Sequence, residues 1–206
     1  MIPVRSLFCA ALVLVSGALR AEPLRLVFAG DVMLDDGPGR VVASGRDPLA
    51  PFSALLADAD YRIANLECPI ATTGKALDNK IYTFRAEPGV VSVLRGRFDA
   101  MSVANNHSGD YGKDAFLETL THLDAAGIRH FGGGKNLAEA HAPLWISAKG
   151  LHVAVLGYDE FKPRSFEAGA THPGVAWSED SQVIADIRAA RKAGADLVIP
   201  FMHWGW

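Results

Sequence analysis

A chain of 206 residues, half of them apolar, is long enough to bury one sizeable core. Its formal net charge of −3, with no basic cluster, gives no electrostatic case for a nucleic acid partner. Of the two cysteines, Cys9 falls in an N-terminal leader, so the mature chain keeps one thiol, Cys68, and no intrachain disulfide.

The leader has three parts. Arg5 precedes an unbroken apolar run, Leu7 to Val15, and Ser16-Gly17-Ala18-Leu19-Arg20-Ala21 follows. A charge, a short apolar stretch and small residues in that order specify a cleaved signal peptide over residues 1–21. The run is short for a bilayer span, and an uncleaved anchor is the alternative. The protein is therefore expected outside the cytoplasm, periplasmic or extracellular, or held at the membrane if the leader stays. One domain, residues 22–206, is expected to follow.

Leu24 to Ala29 is nearly continuous in apolar character, as a strand covered on both faces should be, and it ends in Gly30-Asp31. Asp35 and Asp36 follow in an acidic turn. Residues 50–57 suggest a short helix. Tyr61 to Ala64 is the next strand, ending in Asn65-Leu66-Glu67. From Cys68 to Phe84 the composition is polar and predicts a loop over the strand ends, and Pro88 to Arg95 can form a helix with proline at an early position. Cys68 has no evident activating neighbour and is expected to be a buried small side chain.

Phe98 to Ala104 reads as a buried strand that stops in Asn105-Asn106-His107. Adjacent asparagines favour a turn, because their side chains bond nearby backbone and tolerate positive φ. Lys113 to Ala126 carries apolar residues at spacings of three and four, with Gly127 as the stop, the clearest helix in the chain. Ile128 to Phe131 predicts a short strand. Gly132-Gly133-Gly134 lacks the residues of a phosphate-binding loop and predicts a flexible connection. Asn136 to His141 fits a short helix. Leu144 to Ala148 and Leu151 to Gly157, joined by Lys149-Gly150, predict an antiparallel hairpin and so a mixed sheet. Residues 161–177 form an irregular segment. Ser178 is the expected N-cap of a helix whose inner face is Val183, Ile187 and Ala190. Leu197 to Met202 is the last strand and ends in His203-Trp204-Gly205-Trp206.

Four predicted strands thus each deliver Asp, Asn, Glu or His at the same end. In an α/β protein with parallel strands, carboxyl ends are where ligands bind, and oxygen plus imidazole donors suit a divalent cation. Glu67 is the natural bridging carboxylate, with Asp31 holding a cation from the other side. Asn106 offers an amide oxygen and His203 a neutral imidazole. His107 would then serve as general acid or oxyanion stabiliser. Two cations about 3.5–4 Å apart would neutralise an anionic substrate and activate water. Plainer alternatives stand beside these roles: Asn105 and Asn106 as a turn only, His107 as a half-buried imidazole, His203 as aromatic packing beside Trp204 and Trp206. His122, His130, His141, His152 and His172 have no convergent partners in the sequence.

The same residues carry a family resemblance. Gly30-Asp31-Val32-Met33-Leu34, Asn65-Leu66-Glu67, Tyr82-Thr83-Phe84-Arg85, Ala104-Asn105-Asn106-His107-Ser108, Asp110-Tyr111-Gly112 and His203-Trp204-Gly205 together resemble the bacterial CapA proteins of poly-γ-glutamate capsule synthesis, a branch of the calcineurin-like metallophosphoesterase superfamily. The resemblance runs from Leu24 to Trp206. It implies an α/β fold of four layers, αββα, with two facing mixed sheets and a metal site at the strand ends. It implies Asp31, Glu67, Asn106 and His203 as ligands of divalent manganese, iron, zinc or magnesium, and His107 as the catalytic histidine. Asn65 and Asn105 would assist, Asn105 standing where the superfamily has glycine, and Asp110 and Tyr111 would line the site. The superfamily's opening Asp-x-His is absent, since Val32 and Met33 follow Asp31, which implies the loss of one imidazole ligand. The family's later histidine motif is also absent, implying a chain truncated at its C-terminus. Three functions follow as expectations: a metal-dependent hydrolase acting on a phosphoester or anionic polymer, a non-catalytic accessory that binds poly-γ-glutamate or a membrane-bound capsule synthase, or an inactive metal-free remnant.

Overall fold

A computed structural model describes residues 22–205; the predicted signal peptide lies outside the described residues. Nine strands and six α-helices build an α/β unit with mixed sheets. In chain order these are β1 (Leu26–Val32), α1 (Asp36–Ala43), α2 (Ser53–Ala57), β2 (Tyr61–Leu66), α3 (Val91–Leu94), β3 (Ala100–Ser102), α4 (Gly112–Ala125), β4 (Arg129–Phe131), β5 (Gly133–Gly134), α5 (Leu137–Ala140), β6 (Leu144–Ala148), β7 (Leu151–Asp159), β8 (Gly174–Val175), α6 (Asp180–Lys192) and β9 (Leu197–His203).

The strands form two main sheets. One is parallel, in the order β1-β2-β3-β4; the other runs β6-β7-β9, with β6 antiparallel and β9 parallel to β7. Strand side chains alternate between faces, and here the alternation sorts two cores. Ile63, Ala100 and Phe131 of the first sheet meet Leu144, Ile146, Val153 and Val155 of the second, with Ile199 and Phe201 partly buried beside them. Phe201 stacks against Phe28 with ring centroids 5.8 Å apart, which ties β9 to β1 across the gap. The opposite face of the first sheet, through Ala64, Leu66 and Met101, packs on Val93 and Leu94 of α3 and on Phe116, Leu120 and Leu123 of α4. The opposite face of the second sheet, through Leu156, Tyr158 and Val198, packs on Val183 and Ile187 of α6. Helix, sheet, sheet and helix therefore follow one another through the molecule.

The clearest sequence signals are realised: the helix over 112–125, and the hairpin at Lys149-Gly150, whose two residues both take positive φ (51° and 77°). Other expectations are corrected. Helix α1 arises where the sequence suggested only an acidic turn; Asp35 caps it by accepting the Asp36 N–H. The three glycines are not a flexible connection. Gly133–Gly134 is a strand paired with β8, and a Cβ at Gly133 would lie 2.7 Å from Val103 Cγ2 and 2.9 Å from Phe116 Cζ. Bare backbone is what lets the chain pass so close. Glu179, not Ser178, stands at the N-cap of α6, without a side-chain bond; the buried Ser178 hydroxyl has no partner. Cys68 is buried and accepts the Leu34 N–H, and burial pushes its thiol up to about 12. Among the described residues no helix is long and apolar enough to cross a membrane.

Candidate metal centre

Where the inter-sheet apolar layer runs out, at the carboxyl ends of β1, β2, β7 and β9, the inward positions turn polar. Ile63 faces the gap, so Asn65 and Glu67, at even spacing beyond it, face it too. Phe28 pairs with Ile63 and Asp31 with Asn65, so two residues of β1 oppose one of β2 between them. That bulge carries Asp31 onto the same face as Phe28, which odd spacing would otherwise forbid. From the second sheet, β7 and β9 pair Asp159 with His203, four and two residues beyond inward-facing Val155 and Phe201 respectively. The strand-end set therefore spans two facing sheets rather than the edge of one.

Carboxylate and imidazole atoms of Asp31, Glu67 and His203 lie within 4.8 Å of one another. Asn65, buried at their centre, donates through Nδ2 to Asp31 Oδ1 (2.8 Å) and to Glu67 Oε2, and lies 3.4 Å from His203 Nδ1. Its carbonyl oxygen accepts from Asn105 Nδ2 (2.9 Å). Asn105 is fully buried and fully used: Nδ2 also donates to the Leu66 carbonyl (2.7 Å), and Oδ1 accepts the His107 N–H (3.0 Å) and the Ser108 hydroxyl (3.2 Å). It fixes the turn after β3. Asn106 Oδ1 sits 2.9 Å from His203 Nε2; the oxygen can only accept, so Nε2–H donates.

His107 approaches from the same turn. Its Nε2 is 3.8 Å from Glu67 Oε1, and its Nδ1 is 2.7 Å from Oδ2 of Asp110, a carboxylate with no exposed surface. The ring packs on Phe84, centroids 4.6 Å apart. The Tyr111 ring lies 4.4 Å beneath the Arg85 guanidinium.

Two further residues at the site, Lys80 and Asp159, carried no signal singled out in the sequence. Lys80 ion-pairs with Asp110, and the Phe84 N–H donates to Asp110 Oδ2 (2.8 Å). Asp159, nearly buried, accepts the Phe161 N–H (3.0 Å). The strand-end pattern could have found Asp159, since β7 closes on it as β9 closes on His203. Nothing local marks Lys80.

The electrostatics are those of crowded, under-compensated acids. Burial, with Asp31 adding to it, pushes the Glu67 carboxyl up to about 8, and burial pushes Asp159 up to about 6. Burial holds His203 below its ordinary 6.5, against the pull of Asp31. Among the described residues, no lysine or arginine forms an ion pair with Asp31 or Glu67.

The family described as bacterial capsule synthesis protein PGA_cap matches residues 25–206. The chain is 28% identical over 197 residues to the capsule biosynthesis protein CapA of Bacillus anthracis, covering 89% of this chain and 47% of that protein. It is 27% identical over 189 residues to the PGA biosynthesis protein CapA of Bacillus subtilis (strain 168), covering 89% and 50%. A Mycobacterium tuberculosis (strain H37Rv) protein described as a probable polyglutamine synthesis accessory protein is 29% identical over 158 residues, covering 71% and 41%. The chain spans about half the length of these curated relatives. With most of its length matched, the chain belongs to the family of bacterial capsule synthesis proteins that includes CapA.

Proposed function

We propose that this CapA-like chain is exported and carries a divalent-metal hydrolase centre of the calcineurin-like type, acting on a phosphoester or related anionic bond during assembly of a capsule polymer such as poly-γ-glutamate. The convergence of Asp31, Glu67 and His203 from two facing sheets carries the proposal. The succession of helix, sheet, sheet and helix supports the calcineurin-like assignment.

The residues fit a cation. Two carboxylates and an imidazole crowd one asparagine amide, and burial, with Asp31 adding to it, pushes the Glu67 carboxyl up to about 8. Asp31, Glu67 and His203 would hold the cation, with Asn106 Oδ1 as the neutral donor beside His203. A divalent ion there would supply Lewis acidity, neutralising anionic substrate charge and lowering the pKa of water. The chain's own groups do the rest. Asn65 and Asn105 lock the positions of Asp31, Glu67 and the His107 turn. Asp110 holds His107 Nδ1–H, so Nε2 is the nitrogen left free to take up a proton and pass it to a leaving or anionic oxygen at the cluster.

A second function, a non-catalytic partner of polymer or synthase, draws on the accessory role in the mycobacterial relative's description. Metal content and turnover of a chromogenic phosphodiester by the purified protein separate the two. His107→Ala is expected to keep its metal and lose turnover, and Glu67→Ala to lose the metal. Bound metal and poly-γ-glutamate without turnover favours the accessory role. Absence of metal in the wild type refutes the metal centre.

A further inference from the structure

We propose that Lys80 is the positioning residue of this site: it braces Asp110 so that His107 keeps its Nδ1 edge on that carboxylate and its Nε2 edge toward Glu67. Lys80 belongs to an irregular strap between β2 and α3 that crosses the strand ends. The strap is clamped at one end by α4, where Glu118 accepts the N–H and hydroxyl of both Thr72 and Thr73 at 2.6 to 3.1 Å. At the other end the Arg85 N–H donates to Asp35 Oδ2 (2.8 Å). Between the clamps the strap reaches the turn carrying His107 three times. The Leu77 N–H donates to the Asp110 carbonyl (3.0 Å), the Phe84 N–H to Asp110 Oδ2 (2.8 Å), and Lys80 Nζ to Asp110 Oδ1 and to the Asn106 carbonyl (2.6 Å). Ile81 and Tyr82, the next two residues, are 90% and 70% exposed, so the strap spends Lys80 inward while its neighbours face out.

Donor and acceptor rules then fix the ring. Lys80 Nζ also lies 3.2 Å from His107 Nδ1, while Asp110 Oδ2 lies 2.7 Å from the same atom. An ammonium only donates and a carboxylate only accepts, so Nδ1 can satisfy one of them. Lys80 has two other acceptors, one of them at 2.6 Å, whereas Asp110 Oδ2 makes its shortest contact with Nδ1. Nδ1 therefore carries the proton, and the free valence of the ring is Nε2. The ammonium matters because Asp110 is wholly buried. Without Lys80, Oδ1 loses its side-chain donor, the carboxylate is free to turn toward whatever donors remain, and the ring loses its fixed partner.

The assignment of the ring nitrogens stands on this geometry alone; its consequence for turnover rests on the hydrolase proposal. Long-range 1H–15N correlation spectra of the metal-free protein at alkaline pH read the His107 nitrogens directly. The expected wild-type pattern is a protonated Nδ1 and an unprotonated Nε2. Lys80→Met and Lys80→Gln should convert it to a mixture of tautomers, and Lys80→Arg should restore it. Circular dichroism identifies folded variants; the two neutral replacements give independent chances of one. In turnover of the chromogenic phosphodiester, the neutral variants should lower kcat roughly 10- to 100-fold with KM little changed, with partial recovery in Lys80→Arg. An unchanged His107 nitrogen pattern in any folded neutral variant overturns the proposal, as does a wild type protonated at Nε2. A wild type that turns over no phosphodiester refutes the hydrolase and leaves the nitrogen pattern to judge Lys80.

Discussion

Glu67 gives the sharpest quantitative test. Its ordinary value of 4.5 rises to about 8 in the native protein, chiefly through burial and then through Asp31. A carboxyl raised on folding binds its proton more tightly in the native state, so its contribution is fully present below about 4.5 and is lost as pH rises through about 8. At about 1.4 kcal/mol per pH unit for one proton, the loss is at most about 5 kcal/mol. Two neighbours titrate at lower pH and do not obscure it. Asp159 adds loss of the same sign only up to about 6, and His203, held below 6.5 by burial, acts in the opposite sense below that value. Between about pH 6.5 and 8 the metal-free protein should therefore lose stability with a slope set mainly by Glu67. Glu67→Gln keeps the shape and removes the charge, so it should flatten that slope and exceed the wild type in stability at pH 8. Urea unfolding of EDTA-treated protein across this range measures both. A wild-type curve that is flat or rising over the window, or a Glu67→Gln protein that is no more stable at pH 8, would refute the claim that this carboxylate is buried without a counter-charge.

Two other outcomes follow from the same structure. Manganese at about a hundred times its dissociation constant should stabilise the wild type by about 2.7 kcal/mol, seen as a rise in melting temperature by scanning calorimetry, and His203→Ala should abolish most of the rise. Gly133→Ala should destabilise the fold by roughly 1–3 kcal/mol in urea while leaving manganese stoichiometry intact, because the added methyl enters a space already filled by Val103 and Phe116.

Much of the site could be read from the sequence because strand ends are local features. Apolar runs closing on Asp31, Asn65 and Glu67, Asn106 and His203 needed only alternation and turn chemistry to be noticed, and the fold places those ends together. The helix over 112–125 and the hairpin at Lys149-Gly150 were legible for the same reason, each having a period or a turn signature of its own. Elements whose logic is non-local were not. Helix α1 begins Asp36-Gly37-Pro38-Gly39, a composition that argues for a turn, and it is held by an Asp35 cap and by packing through Val42. The glycines at 133 and 134 look like slack in the sequence and prove to be a close approach, a property of the residues opposite them.

Asp159 and Lys80 mark two different limits. Asp159 obeys the strand-end rule and needed only a strand two residues longer than the run read to Gly157. Lys80 obeys no local rule at all. It lies in a polar stretch between two exposed segments, and its three partners are 26 to 30 residues away on a turn that a different element delivers. A lysine there is unremarkable until Asp110 is known to be buried, because only a buried carboxylate makes a single ammonium decisive. The residues that bind can be found from the ends of strands; the residue that holds them in place is found only from what those ends leave unpaired.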